Sequence, residues 1–167
     1  MSLFVIADLH LSLGSSKPMD VFPGWKNYVE RLEEQWRAIV TEEDTVVVAG
    51  DISWGMSLQE SRTDFQWLNS LPGEKILLKG NHDYWWSTKT KIETFFAEEG
   101  LTTLKVLHNN AYAAQGKVIC GTRGWFYDPS DATAGDEKVF KRELIRLEAS
   151  RRAAGDTPEK ICFLHYP

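Results

Sequence analysis

Four side chains that can ionise or bind a metal crowd into the five-residue stretch Lys79-Gly80-Asn81-His82-Asp83. Carboxylates, imidazoles and amide oxygens are the groups that hold divalent metals in proteins. The same residue types recur in three other short clusters, Asp8-Leu9-His10, Gly50-Asp51 and His165. We therefore predict that the chain binds metal ions with side chains drawn from four separate places.

Each cluster directly follows a short apolar run that is typical of a buried β-strand. The runs cover residues 4–7, 45–49, 75–78 and 161–164. Open α/β sheets bind their ligands at the carboxyl ends of the strands, so we expect the clusters to meet there. Gly80 allows the chain to turn sharply after its strand. Asp8 and His10 lie two residues apart, so in extended chain their side chains would point to the same side.

The order of the clusters resembles that of the calcineurin-like metallophosphoesterases, and among them the predicted bacterial phosphohydrolase type. The family pattern is Asp-x-His, Gly-Asp, Gly-Asn-His-Asp, a later His and a final Gly-His-x-His. This chain matches every part except the last, from Ser2 to its end. The resemblance implies a calcineurin-like α/β fold, a four-layer sandwich in which two mixed β-sheets pack face to face with helices on the outside.

The resemblance also implies two divalent ions and a role for each ligand. Asp8 and His10 would hold one ion, Asn81 and His165 the other, and Asp51 would bridge the two. This mixture of donors suits Mn, Fe or Zn better than Ca or Mg. A pair of such ions about 3.5–4 Å apart promotes the hydrolysis of phosphate esters.

His82 resembles the family's histidine that is not a ligand and that protonates the leaving oxygen or stabilises the transition state. Asp83 would orient His82 by accepting its other ring proton. Family members can carry an arginine shortly after the bridging aspartate, but this chain has Trp54 in that region. Arg123 is the remaining candidate for binding the substrate phosphate. An ordinary solvated arginine is the alternative for Arg123.

The absence of Gly-His-x-His leaves each ion with three protein ligands, as in catalytic zinc sites. We expect weaker metal occupancy and little or no turnover without that motif. We also expect residues 1–167 to form a single metallophosphoesterase domain that lacks this C-terminal part, with an unpaired sheet edge. The simplest explanation is that the chain is part of a longer protein.

Composition narrows the setting of the protein. The chain has 19 basic and 24 acidic residues, for a net charge of −5, which disfavours tight binding to nucleic acid. It has no run of about 20 apolar residues and no early apolar segment that could serve as a signal peptide. We therefore expect a cytoplasmic protein with no membrane association. Cys120 and Cys162 lie in strand-like runs and are expected to pack as small apolar residues.

Two segments near the predicted centre have more than one interpretation. Residues 11–24 form a loop that is either a lid or wall for the substrate or an ordinary connection. The aromatic run Tyr84-Trp85-Trp86 either stacks on a substrate or packs a helix against the sheet. His108 matches no motif and is expected to be structural. Residues 104–107 and 118–120 are predicted strands of the second sheet.

The resulting prediction is a dinuclear metal-dependent hydrolase of phosphate esters, either a phosphomonoesterase or a phosphodiesterase. Its substrate would be a phosphorylated small molecule, a nucleotide or a phosphoprotein, because the same metal core serves all of these. A nuclease is less favoured by the acidic charge. The alternative from another class is a non-catalytic scaffold of the same fold that binds proteins.

Overall fold

Four parallel strands form the sheet from which most of the predicted site residues emerge. The computed structural model describes residues 1–126, 128, 130 and 133–166. Within them the first sheet runs in the order β1 (Leu3–Ile6), β2 (Thr45–Ala49), β3 (Glu74–Leu78) and β4 (Leu104–Val106). Neighbouring strands are parallel throughout, so all their carboxyl ends lie at one edge.

Three helices connect these strands and cover one face of the sheet. They are α1 (Tyr28–Ile39), α2 (Arg62–Ser70) and α3 (Lys89–Glu98). Their apolar sides meet the strands in a core that includes Trp36, Phe65, Leu68, Ile92, Val46, Val48 and Leu77. This packing holds the strand ends in fixed relative positions.

A second sheet of three strands faces the first. It runs in the order β5 (Tyr112–Ala114), β6 (Lys117–Thr122) and β7 (Lys160–Leu164). β5 and β6 form a hairpin whose turn residues Gln115 and Gly116 have φ of 51° and 72°, as a tight two-residue turn requires. β7 pairs with β6 in parallel, so Arg123 and His165 emerge at the same end.

The helix α4 (Ala134–Ala153) packs on β6. Its N-terminus has a capping box between Thr133 and Asp136. The contact with the sheet is partly polar, because Glu143 and Ser150 are the buried residues of this helix. The Ser150 hydroxyl accepts a hydrogen bond from Gly121 N at 2.9 Å.

Apolar side chains from both sheets fill the space between them. Val47, Ala49, Ile76 and Leu78 of the first sheet lie in one cluster with Ile119 of the second, and Ile161 and Phe163 pack against it. The order of layers is thus helices, sheet, sheet, helix, which confirms the predicted calcineurin-like α/β sandwich.

Two details of the predicted sandwich were wrong. The first sheet is parallel in the described part of the chain, whereas a mixed sheet was expected. Residues 104–106 join this first sheet as β4, although they were assigned to the second. Both differences have one reason: α3 forms a crossover connection that returns the chain beside β3 in the same direction.

One helix start differs from its sequence pattern. Ser57-Leu58-Gln59-Glu60 has the pattern of a helix capping box. Ser57 Oγ accepts from Glu60 N at 3.2 Å, but the Glu60 carboxylate accepts from Met56 N, and α2 begins only at Arg62. Cys120 is buried as expected, whereas Cys162, its register partner on β7, is exposed. No helix in the described ranges is both long and apolar enough to span a bilayer.

Candidate metal centre

The five predicted metal ligands converge at the carboxyl ends of β1, β2, β3 and β7. The donor atoms of Asp8, Asp51 and His165 lie within 4.8 Å of one another. His10 Nε2 is 3.5 Å from Asp8 Oδ1. His165 Nε2 is 2.9 Å from Asn81 Oδ1. Residues from four strands, spread over most of the chain, thus meet in one place.

Asp51 lies between the two halves of this group. Its Oδ2 is 3.7 Å from His10 Nε2, and its Oδ1 is 3.6 Å from His165 Nε2. The two carboxylate oxygens therefore face different histidines. In this arrangement one carboxylate could contact a cation beside each histidine.

The tautomer of His165 fits a metal ligand. Its Nδ1 lies 2.9 Å from the carbonyl oxygen of Ala49. A carbonyl only accepts hydrogen bonds, so Nδ1 donates to it, and Nε2, which faces Asn81 Oδ1, is the ring nitrogen left for a metal. Histidines that bind metals commonly donate their second ring N–H to a carbonyl in this way.

The backbone is strained at three of these ligands. Asp8, His10 and Asp51 have φ of 59°, 46° and 53°, in the left-handed region. Asp8 and His10 were expected to lie in extended chain. β1 instead ends at Ile6, and both residues lie in the following loop with left-handed backbone angles. Such strain persists only where the surroundings enforce it, and it concentrates at functional sites.

The glycines beside the centre permit a close approach of backbone. A Cβ on Gly50 would lie 2.6 Å from His165 Nδ1 and 2.7 Å from Gly80 Cα. Gly50 also has φ of 100°. Gly80, which was predicted to allow a sharp turn after its strand, is also needed for close contact, because a Cβ at Gly80 would collide with Asp51.

We expect Gly50→Ala to weaken metal binding roughly tenfold, because its methyl group would displace His165 and the loop at Gly80. Gly100→Ala is the matched control. Gly100 also has a positive φ of 66°, but a Cβ there would meet nothing within 4 Å. Both variants should lose about 1 kcal/mol of stability from the strained φ. Titration with Mn, followed by elemental analysis, should show weakened binding only for Gly50→Ala. Equal binding in both would contradict the argument.

Asp83 is buried, with an exposed fraction of 1%. Its carboxylate accepts hydrogen bonds from Gly80 N at 2.7 Å, Ile52 N at 2.8 Å and Asp51 N at 2.9 Å. Burial raises the pKa of this carboxyl, while the backbone N–H groups lower it. The predicted contact with the His82 ring does not occur among the hydrogen bonds of the described residues. The side chain instead points beneath the centre and ties the loops after β2 and β3 together.

His82 lies beside the predicted ligands. Its backbone N donates to Asp51 Oδ1 at 2.8 Å, which fixes where the side chain begins. Its ring nitrogen Nδ1 is 3.3 Å from the hydroxyl of Tyr84. The ring centroid is 5.9 Å from that of His10. Tyr84 thus takes the place that Asp83 was expected to have beside this histidine.

Aromatic side chains surround the histidines. Trp54 stacks on His10 at 4.9 Å between ring centroids and lies 5.0 Å from His82. The 11–24 loop contains the short 3-10 helix Met19–Val21, and Met19 Sδ accepts from Trp54 Nε1 at 3.3 Å. The loop is therefore an ordered wall of the site. In the sequence, the one signal for this contact between the loop and the site was the position of Trp54, three residues after Asp51.

The run of three aromatics after Asp83 divides between the two predicted fates. Trp85 is 2% exposed and packs edge-on against Phe65 at 4.7 Å. Its Nε1 donates to Asp83 Oδ1 at 2.9 Å. Tyr84 is 51% exposed and remains available for contact with a ligand. Packing therefore accounts for Trp85 and not for Tyr84.

A cleft opens on the other side of Asp8. Its volume is about 620 Å³, and it lies between the end of β1 and the side of α1. The lining includes Asp8, Trp25, Tyr28 and Arg31. Tyr28 Oη donates to the carbonyl of His10 at 2.8 Å, so the cleft wall and the predicted ligands are directly connected. The cleft has room for a small organic group.

Arg123 follows β6 and lies close to the backbone of the centre. Its carbonyl accepts from His165 N at 3.1 Å and from Tyr166 N at 2.8 Å. Its Nη2 is 3.1 Å from Glu143 Oε1, and its side chain is 15% exposed. The guanidinium is therefore a paired and largely buried group and not an ordinary solvated one.

The sequence matches the calcineurin-like phosphoesterase family over residues 1–167. It is 32% identical over 84 residues to the Gene 66 protein of Mycobacterium phage L5, a match that covers 46% of this chain and 37% of that protein. The chain thus spans little more than a third of this curated relative.

Two solved structures align with this chain. The phosphopantetheinyl hydrolase PptH of Mycobacterium tuberculosis aligns with a TM-score of 0.57 at 16% identity, covering 99% of this chain and 68% of that one. The protein AQ665 of Aquifex aeolicus aligns with a TM-score of 0.48 at 20% identity, covering 86% and 72%. At 16% identity the similarity to PptH concerns the fold alone.

Proposed function

Because the chain belongs to the calcineurin-like phosphoesterase family, we propose that it hydrolyses phosphate esters with the help of two divalent ions, Mn, Fe or Zn. The observation that carries the proposal is the position of Asp51, whose two oxygens face His10 and His165 separately. A carboxylate that served a single ion would not need a histidine on each side. The strained φ angles at Asp8, His10 and Asp51 support the same interpretation.

The donor set fits a pair of metal ions. Asp8 and His10 would hold one, Asn81 and His165 the other, with Asp51 shared. When bound, the ions would offset the negative charge of the phosphate and lower the pKa of the attacking water. The protein's contribution is to keep these side chains in position before any ligand arrives.

His82 is the proposed catalytic acid. Its backbone is anchored to Asp51, and its ring stands beside the predicted ligands, where a leaving oxygen would emerge. Proton donation to that oxygen, or a hydrogen bond in the transition state, lowers the barrier for departure. The Tyr84 hydroxyl beside Nδ1 limits the rotation of the ring. Asp83 acts indirectly in this proposal, because it holds the loop of Asp51.

The proposed substrate is a phosphorylated small molecule or nucleotide, as a monoester or a diester. The cleft beside Asp8 and the aromatic side chains of Trp25, Trp54 and Tyr84 suit an organic group next to the phosphate. A phosphoprotein would also present a single ester to the same centre. The net charge of −5 makes long nucleic acids poor candidates. The cytoplasmic setting remains a prediction from the sequence.

The direct test is the ratio of metal to protein in the purified 167-residue chain, measured by elemental mass spectrometry. We expect the ratio to approach two ions per chain only at high Mn concentration, with slow release of phosphate from simple esters such as 4-nitrophenyl phosphate, because each ion has only three protein ligands. A ratio near zero without hydrolysis would reject the enzyme and favour the non-catalytic scaffold. Binding without hydrolysis of any ester would reject the catalytic part alone.

A further inference from the structure

Positively charged side chains gather on the side of the centre where Asn81 and His165 lie. Lys79 follows β3, Arg123 follows β6, and Arg146 lies on α4. We call these three residues the cationic cluster. Burial lowers the pKa of Lys79, and the positive charges of Arg123 and Arg146 lower it further.

One carboxylate, that of Glu143, lies at the middle of this cluster. Glu143 Oε1 is 3.1 Å from Arg123 Nη2 and 2.6 Å from Arg146 Nη1. Glu143 Oε2 accepts from the Thr122 hydroxyl at 2.6 Å. Both oxygens are therefore already used, and neither pairs with Lys79.

The cluster keeps more positive than negative charge. Asp83 is the other carboxylate that acts on the charge of Lys79, and its oxygens accept hydrogen bonds from loop amides and from Trp85 Nε1. Within the described part of the chain, Lys79 Nζ has no hydrogen bond or ion pair of its own. Arg123 Nε is buried without a hydrogen bond there, although the guanidinium pairs with Glu143 and lies 4.7 Å from the centre of the Trp125 ring. Lys79 is thus the half-buried cation of the cluster that has no anionic partner among the described residues, and an anionic ligand would offset the cost of its burial.

His108 completes the surroundings of the cluster but adds no charge at neutral pH. It follows β4, next to Lys79, and its ring lies 6.0 Å from that of Trp86. Burial and the charge of Arg146 lower its pKa below the usual value. A neutral imidazole still has one ring N–H, which can donate a hydrogen bond to an anion.

The cluster is continuous with the proposed active centre. Lys79 precedes Asn81 by two residues. The Arg123 carbonyl accepts from His165 N, so the backbone of the cluster holds a predicted ligand directly. A substrate with its reacting phosphate at Asp51 could therefore extend toward Lys79.

We propose that the cationic cluster binds a second phosphate group of the substrate, so that the preferred substrates carry two phosphates. This inference rests on the proposed function, because it assumes that the first phosphate reacts at the centre. Ammonium and guanidinium groups suit phosphate oxygens, and Arg123 and Arg146 are held in place by Glu143. The second phosphate is not hydrolysed, and it serves to position the substrate.

The test compares substrates that differ by one phosphate. The pairs are adenosine 3′,5′-bisphosphate with adenosine 5′-monophosphate, adenosine diphosphate with the same monophosphate, and fructose 1,6-bisphosphate with fructose 6-phosphate. We expect kcat/KM to favour the bisphosphate in at least one pair by about tenfold or more. In Lys79→Met this preference should fall toward one. Lys79→Arg should restore it, because the charge returns.

Lys91→Met is the matched control, since it removes an exposed lysine on α3 by the same change. It should leave the preference as in the wild type. Thermal unfolding of each variant checks that the fold is kept. No preference in any pair, or a preference that survives Lys79→Met, would overturn the inference.

Calorimetric titration of the same ligands separates this inference from the proposed function. Tighter binding of a bisphosphate to wild type than to Lys79→Met, without release of phosphate, would support the cluster and reject the hydrolase. Hydrolysis of monophosphates with equal affinity for both classes of ligand would support the hydrolase and reject the cluster.

Discussion

Asp51→Asn is expected to abolish metal-dependent hydrolysis while the protein stays folded. Metal content should drop from about two ions per chain toward zero. kcat/KM should fall by more than about a hundredfold, because removing a residue that only supports a metal ligand already costs about 10–100-fold. An amide has one oxygen and one NH₂ group, so the new asparagine could not offer an oxygen to each of two ions, one beside His10 and one beside His165.

The fold should tolerate this change, because the asparagine oxygen can still accept from His82 N as Asp51 Oδ1 does. Metal content by elemental mass spectrometry and phosphate release are the measurements. Asp44→Asn is the control: Asp44 is a buried carboxylate at the opposite end of the first sheet, where it accepts from Ser2 N and Thr41 N. Unchanged metal content and activity in Asp51→Asn would refute the assignment of Asp51 as the shared ligand.

Asp83→Ala is expected to have the largest effect on stability. It would leave the amides of Gly80, Asp51 and Ile52 and the indole N–H of Trp85 without their acceptor. Each unsatisfied buried group costs on the order of 1–3 kcal/mol, so the free energy of unfolding should fall by about 3 kcal/mol or more. Urea unfolding followed by tryptophan fluorescence measures this change.

Metal binding separates the specific role of Asp83 from a general loss of stability. Asp44→Ala also removes a buried acceptor, but far from the centre, so the fraction that remains folded should bind metal normally. In Asp83→Ala the folded fraction should bind metal more weakly, because the loop that carries Asp51 is no longer tied to Gly80. The same affinity in both folded proteins would mean that Asp83 is merely structural.

The residues of the candidate centre could be predicted because their order along the chain follows simple rules. Asp8, Asp51 and Asn81 each come directly after an apolar strand, and parallel strands bring their carboxyl ends together. The family resemblance then supplied the division of the ligands between two ions. His165 was found in the same way, although its strand belongs to the other sheet.

The hydrogen-bond partners of individual side chains could not be predicted from the sequence in the same way. Asp83 was expected to reach the His82 ring next to it in sequence, yet it bonds to Asp51 N, 32 positions earlier. The course of the loop decides this, and the loop's path depends on Gly50 packing against Gly80. Neither feature leaves a periodic signal in the sequence.

The sequence by itself determined which residue types reach the edge of the sheets, because strand periodicity and the apolar runs are local properties of the chain. Only the tertiary structure decided which side chains contact one another at that edge. Glu143 of α4 pairs with Arg123 after β6, 20 positions earlier in the chain. Lys79, 64 positions before Glu143, has no ion pair among the residues that the structure describes. Such pairings follow from how α4 packs on β6, and this packing depends on shape and buried charge over the whole fold.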